Sequence, residues 1–213
     1  MLEALKVIGR AFRLWWGELL LLTALNVAWL ALQVPIVTGP PATAAMYVIV
    51  RRLVDGDLVG PRDAWQALRQ MFWPAWIWGL LNLVIAGVVG FNFITYGSAP
   101  GPAWAALRLA WGTIALLWFA VNLFYWPFWL AQSDRRPTLT LRNGLLLYLR
   151  APGFGLTLLL TCAVLTVVSV LTTVPLAAAL VSWLSLIGIM AVDVALRRPE
   201  AAEPGPATEI EVL

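Results

Sequence analysis

Five stretches of this chain, 14–37, 74–96, 109–130, 154–174 and 175–196, are continuous apolar runs almost free of charge. A helix of about 20 such residues crosses the roughly 30 Å hydrocarbon core of a bilayer. Inside lipid, a chain must satisfy its own backbone polar groups, which restricts it to helices or closed barrels. The whole sequence fits that solvent. It is 62% hydrophobic and 12% charged, whereas soluble domains are about half apolar and about a quarter charged. The expected fold class is all-α, a polytopic transmembrane helix bundle of about six helices.

The sixth helix is short. Residues 42–53 read as helix but reach only about 18 Å, too little for a full crossing. Before them stands Pro35-Ile36-Val37-Thr38-Gly39-Pro40-Pro41, a strong helix breaker. The first helix is therefore expected to stop near Pro35. A short or re-entrant helix then starts just after Pro41, with the Thr43 hydroxyl as its cap. Val174-Pro175 supplies the turn between the last two spans.

Basic residues set the topology, because Lys and Arg collect on the cytoplasmic side. Lys6, Arg10 and Arg13 precede the first span. Arg51, Arg52, Arg62 and Arg69 follow the short helix, and Arg135, Arg136, Arg142 and Arg150 follow the third clear span. Arg197 and Arg198 close the last helix, and Arg108 alone remains for the other side. This predicts a multi-pass protein with both termini cytoplasmic. Residues 1–16 carry Glu3, Lys6, Arg10 and Arg13 as one polar stripe on an apolar helix, the pattern of an amphipathic interfacial helix. No small-residue cleavage site follows the apolar run, so no cleaved signal peptide is expected. Residues 14–198 form a single transmembrane domain. Residues 199–213, rich in Pro, Ala and Glu, read as a disordered cytoplasmic tail.

Thirteen tryptophans need a place. Trp15, Trp16, Trp73, Trp76, Trp126 and Trp129 fall at expected cytoplasmic interfaces and Trp104 at the outer one, as in an aromatic belt. Trp29, Trp118 and Trp183 lie deeper, where an indole N–H wants a partner.

Catalytic groups are scarce. The chain has no His and one cysteine, Cys162, so triads, Cys–His pairs and thiolate metal sites are not expected. No phosphate loop or dinucleotide fingerprint occurs. Asp193 and Arg197 are expected to pair as i and i+4. The expectation is no enzyme, no cofactor, no metal and no nucleic-acid partner; the lipid bilayer is the first partner. Uncharged polar residues form stripes instead: Thr23, Asn26 and Gln33; Gly79, Asn82, Ala86 and Gly90; Cys162, Thr166, Ser169 and Thr173. Such stripes let helices approach and hydrogen-bond. They equally suit a polar cavity lined by Asn26, Gln33, Asn82 and Asn92, and the residues alone leave both readings open.

Three motifs resemble the YesL family of bacterial membrane proteins. One is the turn Thr38, Gly39, Pro40, Pro41, Ala42, Thr43, continuing into Ala44-Ala45-Met46-Tyr47. The second is Tyr125-Trp126-Pro127, and the third is Arg142-Asn143-Gly144-Leu145-Leu146-Leu147. Pro40 stands where the family has Gly, and Gly144 where Ala is common. The resemblance covers about residues 5 to 195 and implies location in the bacterial cell membrane. The family has no assigned activity, and its genes tend to accompany binding-protein-dependent sugar transporters. It thus implies an accessory or regulatory role in carbohydrate import, with membrane permease subunits as partners. Segment 132–150, with Arg135, Arg136, Arg142 and Asn143, is then the expected cytoplasmic docking loop. The alternative is an autonomous transporter or channel for a small neutral solute, working at the Thr38–Thr43 corner.

Overall fold

The computed structural model describes residues 1–173, 175 and 178–197, and among these it contains helices and no strand. Among the described residues nine helices follow one another: α1 Leu2–Gly17, α2 Leu19–Gln33, α3 Gly39–Val54, α4 Pro61–Gln70, α5 Phe72–Tyr96, α6 Pro102–Ala131, α7 Pro137–Arg150, α8 Pro152–Thr172 and α9 Leu180–Arg197. Four of them, α5, α6, α8 and α9, are long and apolar enough to cross a membrane. The pair α1 and α2 makes a fifth if it is taken as one span.

The count of about six helices is corrected in three places. The expected first span is two helices bent by 93° at Glu18. Residues 61–70 and 137–150, expected as connecting segments, are helices α4 and α7. Proline stands at their first positions, where its missing N–H is no loss. The Val174-Pro175 turn, Arg198 and the tail 199–213 lie outside the described residues or at their edge.

The short helix is the axis of the bundle. α3 packs against α9, α4, α5 and α2. Its residues Pro41, Ala42, Ala44, Ala45, Met46, Tyr47, Ile49 and Val50 are all buried. Alanine and glycine on its surface let four neighbours approach closely. It begins at Gly39, before both prolines rather than after them. Thr43 does not cap it. Its Oγ1 donates to Gly39 O at 3.1 Å, one turn back.

α1 is drawn into the bundle rather than resting beside it. Ala4, Val7, Ala11 and Trp15 are buried, and the helix packs against α9 and α8. Trp15 meets Trp183 edge-on at 5.5 Å. Trp126 and Trp129 are also buried, so these three tryptophans belong to the core and not to a belt. Trp16 and Trp73 do face outward.

Three contacts hold α9. Pro127, inside α6, removes the N–H that Leu123 O would otherwise receive. Gly188 of α9 lies against this spot, and a Cβ there would come within 2.9 Å of Leu123 O and of Pro127 Cγ. At its start, α9 presents unpaired amides, and the fully buried Asn26 of α2 answers them. Its Oδ1 accepts from Val181 N at 3.0 Å and Ser182 N at 3.2 Å. At its end, Asp193 pairs with Arg51 of α3 at 2.5 Å, not with Arg197. Arg51 also holds Asp55, while Arg52 holds Asp57 and Asp63. The Gly60 N–H and Arg52 together keep the Asp63 carboxyl below the ordinary carboxylate range.

Asn26→Leu removes the acceptor from two buried N–H groups. It is expected to cost about 1–3 kcal/mol, read as a lower unfolding midpoint in detergent. An unchanged midpoint would contradict the capping role.

Candidate functional site

The end of α2 leaves carbonyls without helical partners. At the corner between α2 and α3, side chains take them up. Thr38 Oγ1 donates to Leu32 O at 2.6 Å. Gln33 Nε2 donates to Trp29 O at 3.2 Å and to Gly39 O at 3.4 Å. Trp76, from the first turns of α5, donates its indole N–H to Val37 O at 2.9 Å. Ile36 sits at φ 61°, a left-handed conformation that is strained for a β-branched residue.

Beside this corner lies a cavity of about 420 Å³. Gln33, Ile36, Gly39, Pro40, Thr43 and Tyr47 line it from the corner and α3. Ala75, Trp76, Trp78, Gly79, Asn82, Leu83 and Ala86 line it from α5, and Asn122 and Trp126 from α6. Among the described residues no charged side chain contributes to its wall. Pro40 seats directly on Gly79, where a Cβ would approach the proline ring to 2.8 Å.

The far wall is a reciprocal clamp between α5 and α6. Asn82 Nδ2 donates to Trp78 O and Asn122 Nδ2 donates to Trp118 O, each at 2.9 Å and one turn back. Each Oδ1 then accepts the other helix's indole. Trp118 Nε1 donates to Asn82 at 2.9 Å and Trp78 Nε1 to Asn122 at 3.1 Å. The two indoles stack with centroids 5.3 Å apart, and Tyr125 stacks on Trp78 at 3.6 Å. A third indole follows the same logic, Trp29 Nε1 donating to Thr43 Oγ1 at 2.9 Å. Each asparagine has used one donor and one acceptor. A primary amide offers two of each, so capacity for a ligand remains. Gln33 Oε1 accepts no hydrogen bond among the described residues.

Of the residues singled out in the sequence, the structure brings Gln33, Gly39, Pro40, Thr43 and Asn82 to one cavity. Thr38 and Pro41 flank it in the same corner, and Ala42 is buried against α4 in a smaller apolar pocket. Asn26 is not in the wall, being committed to α9. Asn92 is not either; its Nδ2 donates to Val88 O of its own helix at 2.8 Å. Asn122, Trp76, Trp78 and Trp126 are cavity residues that sequence reasoning missed. The signal was present as a repeated Trp-x-x-x-Asn/Gln spacing: Trp29 with Gln33, Trp78 with Asn82 and Trp118 with Asn122.

The expected docking loop 132–150 is mostly the helix α7, which buries Thr140, Gly144 and Leu147. Tyr148 ties it to α6 by donating to Ala120 O at 3.1 Å. Arg135 and Arg142 are exposed, Asn143 is half-buried, and Arg136 is exposed and pairs with Asp134 at 3.1 Å.

Residues 22–93 match the family described as "Protein of unknown function, DUF624". This segment runs from α2 through most of α5 and holds every cavity residue except Asn122 and Trp126. No curated protein and no solved structure matches the chain.

Replacing Asn82 with Leu strands the Trp118 N–H. It is expected to cost about 1 kcal/mol, the scale of interhelical hydrogen bonds in membrane proteins. Adding Trp118→Phe to Asn82→Leu should cost less than the two single effects summed, in a double-mutant unfolding cycle. Strict additivity would mean that the clamp is not a coupled unit.

Proposed function

We propose that this chain is a non-enzymatic protein of the bacterial cell membrane that binds a small, neutral, polar solute at the α2–α3 corner. It serves as an accessory or regulatory subunit of binding-protein-dependent carbohydrate import. The observation that carries the reading is the chemistry of the cavity wall: amides, the hydroxyl-bearing Thr43 and Tyr47, and indole faces, with no charged side chain among the described residues. Its volume falls in the range of small-molecule sites. Spare amide donors and acceptors suit hydroxyl groups, and flat indole faces suit the C–H faces of a sugar ring. The link to carbohydrate import comes from the resemblance to the YesL family, and the segment matched by the uncharacterised family is the one that builds most of this cavity. Both termini are assigned to the cytoplasm from the distribution of basic residues.

A second reading is an autonomous transporter for the same class of solute. The strained Ile36 at a helix break beside the cavity favours it, since broken helices commonly form transporter binding sites.

Purified protein titrated with a panel of neutral monosaccharides tests the shared part of both readings. Tryptophan fluorescence is expected to change on binding, and Gln33→Leu is expected to weaken that change by about tenfold, the effect of one lost hydrogen bond to a polar ligand. No response across the panel would remove solute binding. Proteoliposomes holding this protein alone then separate the readings. An accessory subunit gives no flux and co-purifies with permease subunits from native membranes, and Glu substitutions at Arg135, Arg136 and Arg142 weaken that recovery. Flux by the protein alone would replace the accessory reading with the transporter.

A further inference from the structure

At the opposite end of α3 from the corner, α1, α3 and α9 leave a second cavity of about 360 Å³ between them. Arg10 of α1 and Arg197 of α9 both line it. Neither has a hydrogen-bond or ion-pair partner among the described residues, whereas Arg51 and Arg52 next to them are each held by two carboxylates. The one carboxylate in the wall, Asp193, is engaged by Arg51 at 2.5 Å. The rest of the wall is apolar: Val7, Val54, Met190 and Val194. The C-terminal ends of α3 and α9 close the cavity, and their partial negative charge favours guanidinium groups there. That charge does not use up the five donors each guanidinium carries. The helix that contributes Arg10 also exposes Leu2, Leu5, Phe12 and Trp16, an apolar surface whose natural surroundings are acyl chains.

We propose that this cavity binds the phosphodiester group of an anionic phospholipid. Arg10 and Arg197 hold the phosphate oxygens, and an acyl chain lies along Val7, Val54, Met190 and Val194. Arginine's planar fork matches phosphate geometry, and basic pockets between membrane helices are suited to anionic headgroups. Inorganic phosphate shares the charge but not the chain, so the apolar wall is what selects the lipid. The bound lipid bridges α1 to the ends of α3 and α9 and steadies the end of the bundle away from the solute cavity.

The test is lipid binding to the full chain in neutral detergent, read by native mass spectrometry. The probes are phosphatidylglycerol, phosphatidylcholine and inorganic phosphate. One phosphatidylglycerol is expected to bind in preference to phosphatidylcholine. The pair Arg10→Gln and Arg197→Gln should weaken it about 30-fold, at roughly one basic contact's worth for each side chain. The pair Arg62→Gln and Arg69→Gln, equal in charge and exposed like Arg10 and Arg197 but outside this cavity's wall, should leave it unchanged. Val194→Phe, which fills the apolar wall and keeps both arginines, should weaken the lipid too. Equal loss in both arginine pairs would overturn the site. Displacement of the lipid by inorganic phosphate, with Val194→Phe unchanged, would overturn the lipid in favour of a free anion. Should the Arg10 and Arg197 pair fail to fold, Val194→Phe decides alone, and wild-type affinity in that variant overturns the proposal.

Discussion

A helix that stops inside an apolar medium exposes backbone groups that water cannot reach, and each one left unpaired costs several kcal/mol. This chain stops its helices repeatedly, and its architecture follows from how the freed groups are answered. Asn26 receives the first amides of α9. Thr38, Gln33 and Trp76 donate to the carbonyls of the α2–α3 corner. Arg108 donates to Tyr96 O, Gly97 O and Ala99 O at the end of α5. The polar side chains are thus placed where the backbone breaks, and the cavity between α3, α5 and α6 sits beside the break that uses the most of them.

Tryptophan plays the corresponding part within the bundle. An indole brings a large apolar face and a single donor, so a buried one is most stable opposite an acceptor. Trp29, Trp78 and Trp118 find acceptors on neighbouring helices and thereby lock α2 to α3 and α5 to α6. Three others, Trp15, Trp111 and Trp183, have no hydrogen-bond partner for their buried N–H groups among the described residues. Two of these pack edge to face with one another. Of the paired indoles, Trp76 and Trp78 line the cavity, while Trp29 and Trp118 lock the helices behind its wall.

Much of the fold was legible in the chain. The spans over α5, α6, α8 and α9 follow from apolar length, and the corner before α3 follows from Pro35, Gly39, Pro40 and Pro41. The polar face of α5, with Gly79, Asn82 and Ala86, was readable from helical spacing and does line the cavity. What misled was the direction of each side chain. Asn26 and Gln33 share a helical face by spacing, yet one meets the start of α9 and the other the cavity. Asp193 sits one turn before Arg197 but pairs with Arg51, brought beside it by the packing of α3 on α9.

The sequence by itself determined the solvent of this protein, the places where its helices break and the polar residues available to mend those breaks. These are local properties, fixed by composition and by proline and glycine. Only the tertiary structure decided that the short α3 is the axis, that α1 joins the core, and that Asn82 and Asn122 exchange indole partners. Those outcomes depend on which helix lies opposite which. In an apolar medium that choice is made by close packing and interhelical hydrogen bonds, whose partners lie tens to more than a hundred residues apart along the chain.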